Sequence, residues 1–173
     1  VDRALEGAAE QLFDRETKLV KLFTPPFENC SRTPGYIESY GPGFRENGGQ
    51  YTHGAIWLGM ACLRRGLTET GAEILDALLP ENHDLAKYLA EPFVLPADVS
   101  SAPGREGEAG WTWYTGSAGW YFRAVTEELL GIRLRRGALT VESPALKNYA
   151  VSLVDPAGRR RTITVRDGTA VIE

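Results

Sequence analysis

The chain has 173 residues, a formal charge of −4 and a pI near 5.3, with 43% hydrophobic and 24% charged residues. This is the composition of an ordinary globular protein able to bury one core. It excludes disorder and argues against nucleic acid as a partner. No apolar run approaches the roughly 20 residues of a bilayer span, so no membrane contact by this segment is expected. Cys30 and Cys62 lie far apart, which supports neither a disulfide framework nor a zinc site and fits a reducing cytoplasm.

Leu5, Ala8, Ala9, Leu12 and Phe13 follow the spacing of one helical face, so the chain opens on an amphipathic helix that fades near Asp14 to Glu16. Because it starts within this pattern and holds a single methionine, Met60, a fragment of a larger protein is expected. From Thr24 to Gly49, Thr24-Pro25-Pro26 and Gly41-Pro42-Gly43 cannot continue a helix and predict a long ordered loop, a length that is usually functional. Helix returns from Gln50 to Arg65, with Ile56, Trp57, Met60 and Leu63 expected in the core and Gly66 as the stop. A further helix opens at Thr68 and runs to Leu79.

Residues 80–110 repeat the arrangement. A short helical piece near Asp84 to Leu89 precedes a second loop marked by Pro92, Pro96 and Pro103, and helix resumes over Ser117 to Leu130. Helices alternating with long aromatic and glycine-rich loops are how an α/α toroid is built, with the site on the loops at one rim. After Gly131 the character changes to short alternating runs separated by Gly137, Pro144, Asp155-Pro156-Ala157-Gly158 and Asp167-Gly168, which predict antiparallel strands. Since such strands alone leave edges exposed, the tail is expected to complete a sheet begun earlier in the parent protein. The run Arg159-Arg160-Arg161 is read as a solvated strand or turn.

Site-forming side chains concentrate at two helix entrances. Arg45-Glu46-Asn47-Gly48-Gly49-Gln50-Tyr51-Thr52-His53 offers a cation, a carboxylate, amides and an imidazole around a Gly-Gly pair that lets backbone approach a ligand. Gly110-Trp111-Thr112-Trp113-Tyr114-Thr115-Gly116-Ser117-Ala118-Gly119-Trp120 supplies indoles for the faces of pyranose rings, and a hydroxyl with free N–H groups for an oxyanion. Trp111 and Trp113 alternate in direction if extended, so one is expected at the site and the other packed inward. His83 reads as a cap or loop pin, and Asp98 as a brace behind the site. The histidines and nearby carboxylates show no ligand spacing, so no metal is expected.

These motifs, together with Pro34-Gly35-Tyr36-Ile37, Glu91-Pro92-Phe93-Val94 and Ala97-Asp98-Val99-Ser100-Ser101, closely resemble the C-terminal part of glycoside hydrolase family 94. The family comprises cellobiose and chitobiose phosphorylases, and the likeness is strongest to its cyclic β-1,2-glucan synthase and β-1,2-oligoglucan phosphorylase branch. The resemblance covers almost the whole chain, most clearly Pro34 to Gly131. It implies a mainly α fold: the last helices and site loops of an (α/α)6 barrel over 1–131, then a small antiparallel β domain over 132–173. It also implies inverting phosphorolysis of a β-glucoside to α-glucose 1-phosphate. Phosphate there takes the place of water, so one general acid suffices. The family's acid and a phosphate-binding arginine lie upstream of the matched region.

The residues carried over by this resemblance are His53, Thr115 and Gly116 for phosphate and Glu46 for the sugar at the leaving or accepting subsite. Arg45 stands where the family often has lysine, and Gln50, Trp111 and Trp113 are further candidate sugar contacts. No cofactor is implied beyond inorganic phosphate as co-substrate. The implied partners are a β-linked glucose oligosaccharide and the upstream part of the same protein, with homo-oligomerisation left open. By itself the chain is expected to be inactive and cytoplasmic, its parent being open to anchorage at the inner membrane through upstream segments. Two other readings stand beside this one. One is a non-catalytic carbohydrate-binding module using Trp111, Trp113 and Trp120 as platforms; the other is part of an inverting α/α-barrel hydrolase, for which the second, base carboxylate is not apparent.

Overall fold

The computed structural model describes residues 1–173 as two compact units, Val1–Phe122 and Arg123–Glu173. The first unit opens with α1 (Asp2–Leu12), followed by the hairpin β1 (Phe13–Asp14) and β2 (Leu19–Val20), which pair antiparallel. The Asp14 carboxylate closes that hairpin by accepting from the Glu16 and Thr17 N–H groups. Of the predicted apolar face of α1, Ala9 and Phe13 are buried.

The long proline-rich loop carries one 3₁₀ turn (Gly35–Ser39) and ends in β3 (Gln50–Tyr51), which leads directly into α2 (Thr52–Arg64). Gly66, at φ +79°, ends α2, and its N–H bonds the Leu63 carbonyl; α3 (Thr68–Ala77) then folds back. The two helices meet through Ile56, Met60 and Leu63 on one and Ile74 and Leu75 on the other, all buried. They approach closely because Gly59 and Gly71 face the seam. A Cβ on Gly71 would lie 2.7 Å from Leu63 Cγ and 2.9 Å from the Gly59 carbonyl oxygen.

Trp57 departs from its expected place in that core, being 52% exposed. It stands one position round the helix from Ile56, beyond the strip that α3 covers. A second 3₁₀ turn (Pro80–Asn82) and α4 (Leu85–Tyr88) follow, with the Asp84 side chain capping α4 through the Ala86 N–H. His83 pins this turn by a 2.8 Å bond between its Nε2 and the Ala77 carbonyl, and burial lowers its pKa.

The second long loop holds β4 (Asp98–Val99) and β5 (Ala109–Gly110), and α5 (Thr115–Arg123) comes after it. A three-stranded antiparallel sheet, ordered β3-β4-β5, joins the two loops. Its register aligns Tyr51 with Asp98 and Asp98 with Gly110 on one face, and Gln50, Val99 and Ala109 on the other. Val99 packs on the second face with Leu19 and Tyr88. This sheet was not predicted, and with five helices beside several antiparallel sheets the expected mainly α fold is seen only in part.

The second unit begins ahead of the expected boundary at residue 131. A π-helical turn (Ala124–Leu129) belongs to it because the Leu129 carbonyl accepts from the Ala145 and Leu146 N–H groups, and Arg133 pairs with Glu127 and Glu128. Strands β6 (Ile132–Arg135) and β7 (Ala138–Val141) form a hairpin. Strands β8 (Tyr149–Val154), β9 (Arg160–Arg166) and β10 (Thr169–Ile172) form an antiparallel meander ordered β10-β9-β8. Within this chain the tail strands pair with one another. Its core is Ile132, Ile163 and Val165.

Asp155 organises the β8–β9 turn. Its Oδ1 accepts from the Ala157 and Arg159 N–H groups, and its Oδ2 accepts from Arg159 Nε and Arg161 Nε. The backbone bond from Arg159, with the two guanidinium groups, holds its carboxyl at about 2 against an ordinary 3.8.

Two outcomes follow for this unit. A depressed folded pKa stabilises above the ordinary value and loses that contribution as pH falls toward about 2. Thermal midpoints should therefore drop between about pH 4 and pH 2, and Asp155→Asn should flatten that drop while lowering stability at neutral pH. Ile163→Ala, at a fully buried position, should cost about 2–5 kcal/mol in denaturant titration.

Candidate functional site

The β3-β4-β5 sheet decides which residues meet, because β3 runs into α2 and β5 leads through Trp111–Tyr114 into α5. On its Tyr51–Asp98–Gly110 face, the Asp98 carboxylate lies directly over Gly110, where a Cβ would come within 3.1 Å of both carboxylate oxygens. Burial raises the Asp98 pKa, with Glu46 adding to the rise and Arg45 opposing it.

Arg45 is the centre of the charged half of the site. Its Nη1 lies 3.7 Å from Asp98 Oδ1 and its Nε 3.6 Å from Glu46 Oε2, charge pairs too long to be hydrogen bonds. Its guanidinium is sandwiched between aromatic rings, 4.4 Å from the centroid of Trp111 and 5.4 Å from that of Tyr40. Arg45, Trp111 and Trp113 all have positive φ, at +48°, +55° and +59°. Strain of this kind costs on the order of 1–3 kcal/mol per residue and gathers at ligand-holding sites.

The other half assembles around His53, in the first turn of α2. Its ring lies parallel to Tyr51, edge-on to Trp57 at 4.9 Å and tilted against Trp120 at 6.0 Å. A Cβ on Gly116 would lie 3.7 Å from His53 Cε1, so the first turns of α2 and α5 approach at this pair with space for about a methyl group between them. Helix starts carry backbone N–H groups without intrahelical partners, and neither Thr115 nor Gly116 is covered. An imidazole, a hydroxyl and free N–H groups around an open gap can hold an oxyanion.

Buried atoms without partners mark the same region. Arg45 Nε and Nη1, Glu46 Oε2, Thr52 Oγ1, His53 Nε2, Asp98 Oδ1 and Ser117 Oγ are buried and make no hydrogen bond. Each such group costs about 1–3 kcal/mol, and their gathering around two helix entrances is what a polar ligand site requires.

The structure thus brings Arg45, Glu46, Trp111, His53, Thr115 and Gly116 onto the two connected segments. Gln50 departs from its expected role as a sugar contact. It is 1% exposed, and its Oε1 accepts the Val20 N–H at 2.9 Å, so it braces β2 against β3. Neither tryptophan packs inward as expected of one of them: Trp111 is 70% and Trp113 63% exposed. Trp113 is instead fixed by its indole N–H donating to Glu91 Oε1 and by the edge of Phe93. It lines a cleft of about 480 Å³ that extends from Tyr114 and Thr115 between Phe93, Leu95 and Pro80. That volume suits a ligand of more than one ring.

Sequence reasoning missed Trp57 and Tyr51 as neighbours of His53, and Tyr114 as the hydroxyl partner of Tyr51. Helical spacing could have offered Trp57, which lies one turn beyond His53. The tyrosine pair had no local signal, since its members are 63 positions apart.

Residues 2–131 match the family described as the glycosyl hydrolase 94 superfamily, catalytic domain. The chain is 44% identical over 144 residues to the cyclic β-(1,2)-glucan synthase NdvB of Rhizobium meliloti, covering 80% of this chain and 5% of that protein. It is 29% identical over 147 residues to the N,N′-diacetylchitobiose phosphorylase of Vibrio proteolyticus, covering 82% of this chain and 18% of the other. With the solabiose phosphorylase of Paenibacillus borealis it shares 31% identity over 111 residues, 62% of this chain and 14% of the relative. The chain therefore spans a small part of each of these relatives.

Gly49 tests how tightly the site loop is built. A Cβ there would meet the Arg45 nitrogen, the Arg45 oxygen and the Gly43 oxygen, each at 2.9 Å, and backbone cannot move aside as a side chain can. Gly49→Ala should cost about 1–3 kcal/mol in chemical denaturation. It should also displace Arg45, read as altered Trp111 fluorescence.

Proposed function

The chain belongs to the glycosyl hydrolase 94 superfamily, and from that premise we propose that it is the phosphate- and sugar-contacting C-terminal part of a β-glucan phosphorylase-like enzyme of the cyclic β-1,2-glucan synthase type. The observation that carries this reading is the approach of His53 to Gly116, with room for a methyl group between them, among buried polar atoms that lack partners. Phosphate is held between the starts of α2 and α5, by His53, the Thr115 hydroxyl and the Gly116 N–H. The glucan lies along Arg45, Glu46 and Trp111, and extends toward Trp113.

In this reading the reaction is inverting phosphorolysis. A phosphate oxygen attacks the anomeric carbon from the face opposite the leaving oxygen, the glycosidic bond breaks, and an acid outside this chain protonates that oxygen. This chain orients the nucleophile. His53 and the α5 start fix the phosphate oxygens, while Arg45 and Glu46 fix the sugar hydroxyls, converting a collision into an oriented encounter. The same reading puts the protein in the cytoplasm, and any anchorage to the inner membrane in other segments of the parent protein. No helix of this chain is long and apolar enough to cross a membrane.

The exposure of Trp111 and Trp113 favours a second reading, a carbohydrate-binding module without a phosphate role. Calorimetric titration with inorganic phosphate and with a β-1,2-glucooligosaccharide separates the two. The chain should bind both, and should release no glucose 1-phosphate on its own. His53→Ala should weaken phosphate about tenfold or more, the loss of a hydrogen bond to a charged group, while leaving the sugar unchanged. Sugar binding with no response to phosphate would replace the first reading by the second. Gly116→Ala has room for its methyl at 3.7 Å from His53, so it should fold normally yet lose phosphate affinity by narrowing the gap.

A further inference from the structure

Tyr51 and Tyr114 share a hydroxyl–hydroxyl hydrogen bond of 3.1 Å, with ring centroids 6.5 Å apart and the rings nearly perpendicular. Tyr51 is the last residue of β3 and stands immediately before α2. Tyr114 stands immediately before Thr115, where α5 begins. This bond is therefore a hydrogen-bonded tie between the two segments whose first turns hold His53 and Gly116, beside the ring contacts of Arg45 with Trp111 and of His53 with Trp120.

Both ends of the tie are anchored in backbone. Tyr51 is fixed by its β-pairing with Asp98, and the next N–H, of Thr52, donates to the Ala97 carbonyl at 2.9 Å. The Tyr114 N–H donates to the Leu95 carbonyl, and its own carbonyl accepts from Ala118 in the first turn of α5. The Tyr51 ring also lies parallel to the His53 imidazole, within 10°, at a centroid distance of 6.2 Å. The Tyr51 hydroxyl thus adjoins the Tyr114 hydroxyl just before α5, while its ring faces the imidazole.

We propose that Tyr51 and Tyr114 are a pair of positioning residues whose hydroxyl bridge sets the gap between His53 and Thr115-Gly116. The proposal rests on the phosphate reading for what the gap holds, and on the geometry above for how the gap is set. Because the hydroxyl of Tyr51 bonds to Tyr114 and is partly buried, its pKa is pushed up to about 12, and Tyr51 keeps its proton across the physiological range. The tie is consequently a fixed strut and not a pH switch.

The test uses the whole chain with three variants, Tyr51→Phe, Tyr114→Phe and the double variant, each of which keeps both rings and removes only hydroxyl oxygen. Two quantities are read: the nuclear Overhauser contact between the His53 Cε1 proton and the Gly116 α proton that lies along the Cβ direction, and the dissociation constant for inorganic phosphate. Either single variant should weaken the contact and raise the phosphate constant roughly fivefold to tenfold, with the thermal midpoint little changed. The double variant should be no worse than either single one, because the bridge is already broken by the first change.

Unchanged contact intensity and phosphate affinity in both single variants would overturn the proposal. So would losses that multiply in the double variant, since each hydroxyl would then act on the ligand separately. Should the unaltered chain bind no phosphate, the functional reading falls, while the Overhauser contact still decides whether the bridge sets the gap.

Discussion

The site depends first on one buried amide. The loop from Thr24 to Gly49 brings Arg45 and Glu46 into place with little regular secondary structure, so its backbone polar groups need partners from side chains. Asn47, 1% exposed, supplies them: its Nδ2 donates to the Phe27 and Tyr40 carbonyls, and its Oδ1 accepts the Phe27 N–H at 2.7 Å. Its backbone also closes the tight turn on Phe44 and Gly43. Ser101 adds a bond to the Gly48 carbonyl from the second loop. These bonds, with the backbone bonds from Ser101 to Gly43 and from Leu22 to Gly49, hold Arg45 in a left-handed conformation against Trp111.

With that loop fixed, unpartnered buried side-chain atoms gather at one place. Three of the nine non-glycine residues with positive φ, and seven buried polar atoms without partners, lie on the segments that enter α2 and α5, in the first turns of those helices, or on β4 between them. Elsewhere polar groups are conspicuously well served: Gln50 caps Val20, and the Asp155 carboxylate accepts four bonds. A packed domain tolerates such local cost when the surrounding structure over-determines it, and α2 against α3 provides that support through the Gly59–Gly71 approach. The division of labour is plain: a rigid helix pair behind, a strained polar rim in front.

The two halves of the rim differ in chemistry. Around Arg45 the environment is charged and aromatic, suited to the hydroxyls and faces of a sugar. Around His53 it is a helix-start environment, suited to an oxyanion. The β3-β4-β5 sheet, only two residues wide on each strand, holds these environments side by side.

Much of this was legible in the sequence alone. Proline and glycine spacing located the two long loops, apolar periodicity located α2, α3 and α5, Gly66 marked the end of a helix, and period-two alternation located every strand of the tail. These features are local, fixed by the φ and ψ each residue tolerates and by the face a repeat presents. The tertiary structure alone decided what lies far apart in sequence. Two-residue strands are too short to show alternation, so the sheet that aligns Tyr51, Asp98 and Gly110 left no pattern to read. Periodicity placed Trp57 on an apolar side but could not say which strip α3 would cover, nor that Gln50 would turn inward to Val20. Family resemblance alone grouped His53 with Thr115 and Gly116; how they come near one another was decided by the β3-β4-β5 sheet, a pairing between distant loops that carries the two helix starts side by side.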